Sequence, residues 1–278
     1  AYLHYIEPHE PYLPPEPFLS ALARTAPNPR YGRAKVLRQL GQRTPPPKVI
    51  DAVKDLYDGN LAWVDSQVGA LVDSLRTEGI LDRTILVLIS DHGEAFWEHG
   101  HRGHGHEPYE ELVRVPFLIH VPTVPELQGI RIAEPVELVD LMPTLLDLMG
   151  VPVESLDLVG RSLVDVMLEG KGDPERLIHV RSNRTERPVY ALRKGHWKCM
   201  YHVDALSQEL YDLASDPGEQ EDLVAAGTAD PELLQEFGGL LRTWLSSGRS
   251  EQLNATPVDN QMLDEEMIES LRSLGYIE

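Results

Sequence analysis

Apolar residues recur along the chain with two different periods, and the switches between them mark its elements. From Ile50 onward, Ile50, Val53, Tyr57, Leu61, Val64, Val68, Leu71 and Leu75 fall at steps of three or four. That spacing lays one apolar stripe along a long helix, with Gly79 placed to end it. Gly59 lies inside the stripe and costs up to ~1 kcal/mol of helix propensity. Next comes Thr84-Ile85-Leu86-Val87-Leu88-Ile89, an unbroken apolar run rich in β-branched residues. It predicts a fully buried strand in a parallel sheet. Val115–Val121 predicts another buried strand, with Pro116 at its start, where a missing N–H is tolerated. Tyr2 to Ile6 reads as a strand as well, and residues 19–47 as a surface excursion with a short helix. Asp140 is placed to cap a helix over Leu141–Met149, with Pro143 in the first turn and Gly150 at the end.

Beyond the charged stretch Glu169–Glu175 the pattern shortens. Ile178–Val180, Val189–Arg193, His196–Tyr201 and Glu209–Asp212 are short strands, with a tight turn at Lys194-Gly195. Pro231 to Leu245 is a helix. The expected organisation is an α/β unit over residues 1–170 and a small antiparallel sheet with a helix over 171–250. Residues 251–278 are a polar tail whose Met267–Tyr276 stretch reads as a short terminal helix.

Composition narrows the function. A formal charge of −20 opposes binding of nucleic acid over a broad surface. An anionic substrate would therefore need a local positive site made by metal, His or Arg. No run approaches the ~18 apolar residues of a membrane span. Cys199 is the only cysteine, so no intrachain disulfide forms, and the compartment stays open. The chain starts without an initiator Met or a leader pattern, at what reads as a strand already under way. It is expected to be the carboxyl-terminal portion of a longer protein.

Candidate chemistry gathers in three places. Ser90-Asp91-His92-Gly93-Glu94 follows the apolar strand, where open α/β sheets place ligands, and Asp with neutral His is a usual ligand pair for a divalent metal. Alone, the pentad fits equally a strand-to-loop turn with an Asx-type hydrogen bond and a solvated His. His9 lies in Glu7-Pro8-His9-Glu10-Pro11-Tyr12-Leu13-Pro14-Pro15, a loop stiffened by prolines. Five histidines (His92, His99, His101, His104 and His106) are separated by glycines, a spacing that keeps the stretch out of a helix and lets imidazoles converge. Not all five are expected in one site.

The order of these pieces resembles the sulfatase family of the alkaline-phosphatase superfamily. Carrying the resemblance are Pro8-His9-Glu10-Pro11-Tyr12, Val64-Asp65-Ser66-Gln67-Val68-Gly69, Ser90–Glu94, Glu98-His99-Gly100, and His104-Gly105 ahead of Tyr109-Glu110-Glu111. It continues through Arg114-Val115-Pro116, Val139–Leu146, Gly160-Arg161-Ser162-Leu163, and Glu209-Leu210-Tyr211-Asp212 before Asp216-Pro217. The resemblance implies an alkaline-phosphatase-like α/β sandwich with a mainly parallel central sheet, present here in part. It implies a divalent metal, calcium before magnesium, manganese or zinc, with Asp91 and His92 at ligand positions. His9 matches an active-site His of acid–base duty, and His104 a group touching a sulfate oxygen. The implied substrate is a small-molecule or glycan sulfate ester.

Two departures stand out. Glu7 replaces the family's usual Asp. The family's nucleophile motif, Cys or Ser-x-Pro-x-Arg, whose first residue becomes formylglycine, does not occur in these 278 residues; Cys199 is followed by Met200 and Tyr201. Turnover is therefore expected of the longer parent and not of these residues alone. Competing readings are a phosphonate monoester or phosphodiester hydrolase of the same superfamily, and a non-catalytic truncated module.

Overall fold

The proline-rich loop and the first half of the long helix build one core together. The computed structural model describes residues 1–247 except 23, 25, 26, 153–155, 157, 171, 183–187 and 204. The tail with its expected terminal helix, 251–278, lies outside the described residues. After α1 (Phe18–Ala21) and α2 (Ala34–Leu40), the apolar stripe forms α3 (Pro47–Thr77). Gly79 at φ +64° closes it: its N–H donates to Arg76 O at 3.1 Å, and the Ile80 N–H to Leu75 O at 2.9 Å. Val53 and Leu56 pack with Tyr12, Leu37, Phe96 and Trp97 in a buried cluster. Residues 19–47 are therefore more than a surface excursion, since Leu37 sits wholly inside this core. Gly59 has a packing reason: a Cβ there would lie 2.7 Å from Pro14 Cγ, so its absence lets the loop lie on the helix.

Next come β1 (Leu86–Ile89), β2 (Ala95–Phe96), β3 (Arg102–Gly103), α4 (Glu110–Val113) and β4 (Phe117–His120). β1 pairs with β4 antiparallel, Leu86 opposite His120 and Ile89 opposite Phe117. The strands are not fully buried, since Leu88 is 37% exposed, Ile89 38% and Leu118 57%, and the pairing seen among the described residues is antiparallel where a parallel one was expected. An apolar run carries no direction of its own; burial and parallel pairing come from neighbouring strands. Among the described residues, β1 and β4 have only each other. Tyr2–Ile6 likewise forms no strand, and Tyr2 is 84% exposed.

A 3-10 turn, Leu138–Asp140, leads into α5 (Leu141–Leu148), followed by α6 (Val164–Glu169). Asp140 occupies the N-cap position of α5 as expected, but its side chain makes no capping hydrogen bond there. Its buried carboxylate instead takes the Glu137 N–H at 2.9 Å, the Arg161 N–H at 3.0 Å and both terminal nitrogens of Arg176, at 2.6 and 2.9 Å.

The last elements are β5 (Leu177–Arg181), β6 (Val189–Lys194), β7 (Trp197–His202), β8 (Ser207–Asp212) and α7 (Pro231–Ser246). The strands form an antiparallel meander in chain order. Its β6–β7 turn is Gly195-His196, one residue later than the sequence pattern placed it, with Gly195 at φ +59°. Asp230 caps α7 by accepting the Glu232 N–H at 2.9 Å. Alternation along the strands sends Leu192, Cys199, Tyr201 and Leu210 against Phe237 and Trp244. The opposite face, with Val189, Ala191, Met200 and Tyr211, meets Tyr109 beside α4. Among the described residues no helix is long and apolar enough to cross a membrane.

Candidate active site

The turn after β1 is held by its own polar groups. Ser90 Oγ donates to His92 O at 2.7 Å, and the His92 N–H to Asp91 Oδ1 at 3.0 Å. His92 Nδ1–H donates to Gly93 O at 2.7 Å, which sets the tautomer and leaves Nε2 on the side of Asp91, 3.8 Å from Oδ1. Gly93 donates to Leu112 O at 2.8 Å, and a Cβ on it would lie 2.0 Å from Glu111 O. Glycine is therefore required here by the close approach of α4.

His9 comes from the proline-rich loop. Its N–H donates to Ile6 O at 3.0 Å and its Nδ1–H to Glu10 O at 2.8 Å. Glu10 in turn accepts from Arg102 Nη1 at 2.7 Å, tying the loop to β3 two residues before His104. The His104 ring lies 5.1 Å from that of His9 and stacks on His92 at 4.1 Å, 30° from parallel. Three separate stretches of chain thus bring His9, the Asp91-His92 pair and His104 together.

Glu94 completes the group, although its place in the pentad gave it no assigned role. Its side chain is 5% exposed, and Oε2 lies 3.4 Å from His104 Nδ1. That contact raises the His104 pKa above 6.5, against the lowering effect of burial, with Glu10 and Asp91 adding to the rise. Glu94 also acts on two phenols: burial and then its charge push the Tyr57 hydroxyl up to about 12 and raise that of Tyr12 further. The Glu10–Arg102 clamp also escaped the sequence reading. A lone arginine within a His/Gly run was its one visible signal.

The remaining histidines stand apart. His101 and His106 stack on each other at 4.7 Å, with His101 Nε2 3.8 Å from Glu107 Oε2. His99 faces away, with Nδ1 2.7 Å from Glu111 Oε1, Nε2–H donating to Glu219 O at 2.8 Å, and its ring stacked on Tyr109 at 3.6 Å.

Asp91 and His92 suit a divalent metal in kind: a hard carboxylate and an imidazole whose donor atoms are spaced like adjacent ligands on one ion, roughly 3–4 Å. They do not complete a calcium cage, which takes about 6–8 oxygens. Among the described residues no three His, Cys, Asp or Glu side chains come together as a metal-holding group. A cleft of about 1700 Å³ opens from Asp91, His92 and His104 toward Arg176, Arg193 and Lys198 of the carboxyl-terminal region.

A family model described as Sulfatase matches residues 1–151. The chain belongs to the sulfatase family. A second model, described as N-sulphoglucosamine sulphohydrolase, C-terminal, matches residues 98–237. The chain is 31% identical over 202 residues to arylsulfatase K of Gallus gallus, covering 69% of this chain and 36% of that protein. Among solved structures it is similar to BT4656 in complex with its substrate D-glucosamine-2-N,6-O-disulfate, with TM-score 0.58, 22% identity, and 81% and 47% of the two chains covered. It is also similar to the phosphonate monoester hydrolase of Agrobacterium radiobacter, with TM-score 0.62, 24% identity, and 86% and 54% covered. The chain thus spans about a third of the curated sulfatase and about half of each solved structure. The shared architecture is the alkaline-phosphatase-like α/β fold.

Proposed function

We propose that the full-length protein hydrolyses sulfate esters, R–O–SO3⁻ plus water giving R–OH and hydrogen sulfate. The convergence of His9, His92 and His104 beside Asp91, within the sulfatase-matched residues, carries this reading. Asp91 and His92 would hold a divalent metal, calcium first among the candidates. When bound, such an ion offsets negative charge on the transferring group. His104, whose pKa the Glu94 contact raises, donates a hydrogen bond to a sulfate oxygen. His9, kept in one orientation by the Glu10 carbonyl, supplies the proton that the departing alkoxide takes up. The formylglycine nucleophile of the family would come from residues outside this sequence.

The glycan reading of the substrate is supported by the sulfohydrolase match over residues 98–237 and by the sulfated glucosamine held by BT4656. The likeness to the Agrobacterium enzyme supports a second reading, phosphonate monoester hydrolysis at the same site. Assay of the full-length protein with and without chelator, on an aryl sulfate and an aryl phosphonate monoester, separates the two. Chelator-sensitive sulfate release is the expected result. Phosphonate cleavage without sulfate turnover would reject the first reading in favour of the second.

A further inference from the structure

Lys198 points from β7 out of the carboxyl-terminal sheet, on the face opposite α7, and its side chain is 2% exposed. Nζ lies 2.7 Å from Glu219 Oε1 and 3.1 Å from Glu110 Oε1. Glu219 is itself wholly buried and held at φ +52°, a left-handed conformation few non-glycine residues adopt. Its second oxygen accepts the Glu110 N–H at 2.5 Å, and its carbonyl accepts from His99. Arg193 Nη1 adds a further cation 3.7 Å from Glu110 Oε2. Two carboxylates and two cations are thus gathered at the start of α4. At the other end of α4, Leu112 O receives the Gly93 N–H, and Gly93 rests on the Glu111 carbonyl with no room for a side chain. One helical turn therefore joins the buried ion pair to the residue beside Asp91-His92.

We infer that Lys198 and Glu219 are positioning residues: through Glu110 and α4 they fix the Ser90–Glu94 turn, and with it the metal-binding pair. This deepens the sulfatase reading and rests on it only for its catalytic consequence. A buried ion pair with a merely structural role can be exchanged for apolar groups of similar volume at little cost to stability. A pair that aims α4 cannot be exchanged without loosening the turn.

The test is Lys198→Met with Glu219→Leu in the full-length protein, read by amide exchange at Gly93 without metal, by divalent-metal affinity and by steady-state kinetics. The expected result is a melting midpoint close to wild type, Gly93 exchange faster by about tenfold or more, metal affinity and kcat each lower by about tenfold, and KM nearly unchanged. Wild-type Gly93 exchange and metal affinity in the folded double variant would overturn the inference. Should that variant not fold, Glu110→Ala decides, since it removes the carboxylate held by Lys198 and Arg193 and leaves the Lys198–Glu219 pair intact. Gly93 exchange about threefold faster supports the inference, and unchanged exchange overturns it. If the full-length protein hydrolyses no sulfate ester, the exchange and metal measurements still decide the positioning role, and the failure belongs to the sulfatase reading alone.

Discussion

His104 stacks on His92 on one side and meets the Glu94 carboxylate on the other. The buried carboxylate raises the His104 pKa, so the proton is held there more tightly than on a free imidazole. The His92 ring is oriented by its Nδ1–H on the Gly93 carbonyl, which turns Nε2 to the side of Asp91.

Replacing Glu94 with Gln removes the charge that holds the His104 pKa up. The alkaline limb of the kcat–pH profile should then move to lower pH, with kcat near neutrality lower by about tenfold or more. Profiles of wild type and E94Q on an aryl sulfate check this. An unmoved limb would remove His104 from the proton inventory.

His9→Ala and His104→Ala should each lower kcat by about 10²–10⁴-fold. Neither ring belongs to a buried apolar cluster, so melting midpoints should stay within a few degrees of wild type. Asp91→Asn keeps the side chain's shape but loses its charge, and should weaken divalent-metal binding by about tenfold or more, read by calorimetry.

Where sequence pattern met local physics, it was informative. The α3 stripe, the Gly79 ending, α7 and the short strands of the meander are all short-range signals. The convergence of His9 with the pentad is not short-range; it became legible through the family resemblance, which orders distant segments. The direction and burial of β1 are not legible in Leu86–Ile89, which would look the same in any sheet. Asp140's place at the start of α5 is legible in the sequence, but its bond to Arg176, 36 residues away, is not. Lys198 and Glu219 gave no signal, since a charged residue in a strand or turn reads as solvated until its burial is known.

The His99–Glu111 contact should make stability depend on pH. Burial lowers the His99 pKa, but the bonds to Glu111 and the Glu219 carbonyl outweigh it and raise the pKa above 6.5. Its contribution is complete below the unfolded value and is lost as pH rises through the folded one. Burial raises the Glu111 pKa, yet the His99 bond lowers it overall, so its share is lost as pH falls below 4.5. The melting midpoint should therefore decline from about pH 6 to pH 8, and His99→Gln should flatten that decline. Equal slopes in the two proteins would refute the assignment.

The Asp140–Arg176 pair fastens β5 to the start of α5 with both charges out of solvent. Asp140→Ala leaves the buried guanidinium with Glu137 as its remaining carboxylate and takes the acceptor from the Glu137 and Arg161 N–H groups, and should cost about 3 kcal/mol in urea denaturation. Asp140→Leu with Arg176→Met should recover much of that loss.

The β1–β4 ribbon has a practical consequence. Leu88, Ile89 and Leu118 give it a greasy surface, and among the described residues its outer backbone edges pair with no further strand. Such an edge recruits foreign strands. Produced as a bare 278-residue polypeptide, the protein should precipitate or self-associate at concentrations convenient for crystallography, and charged substitutions at Leu88 and Leu118 are the first remedy to try.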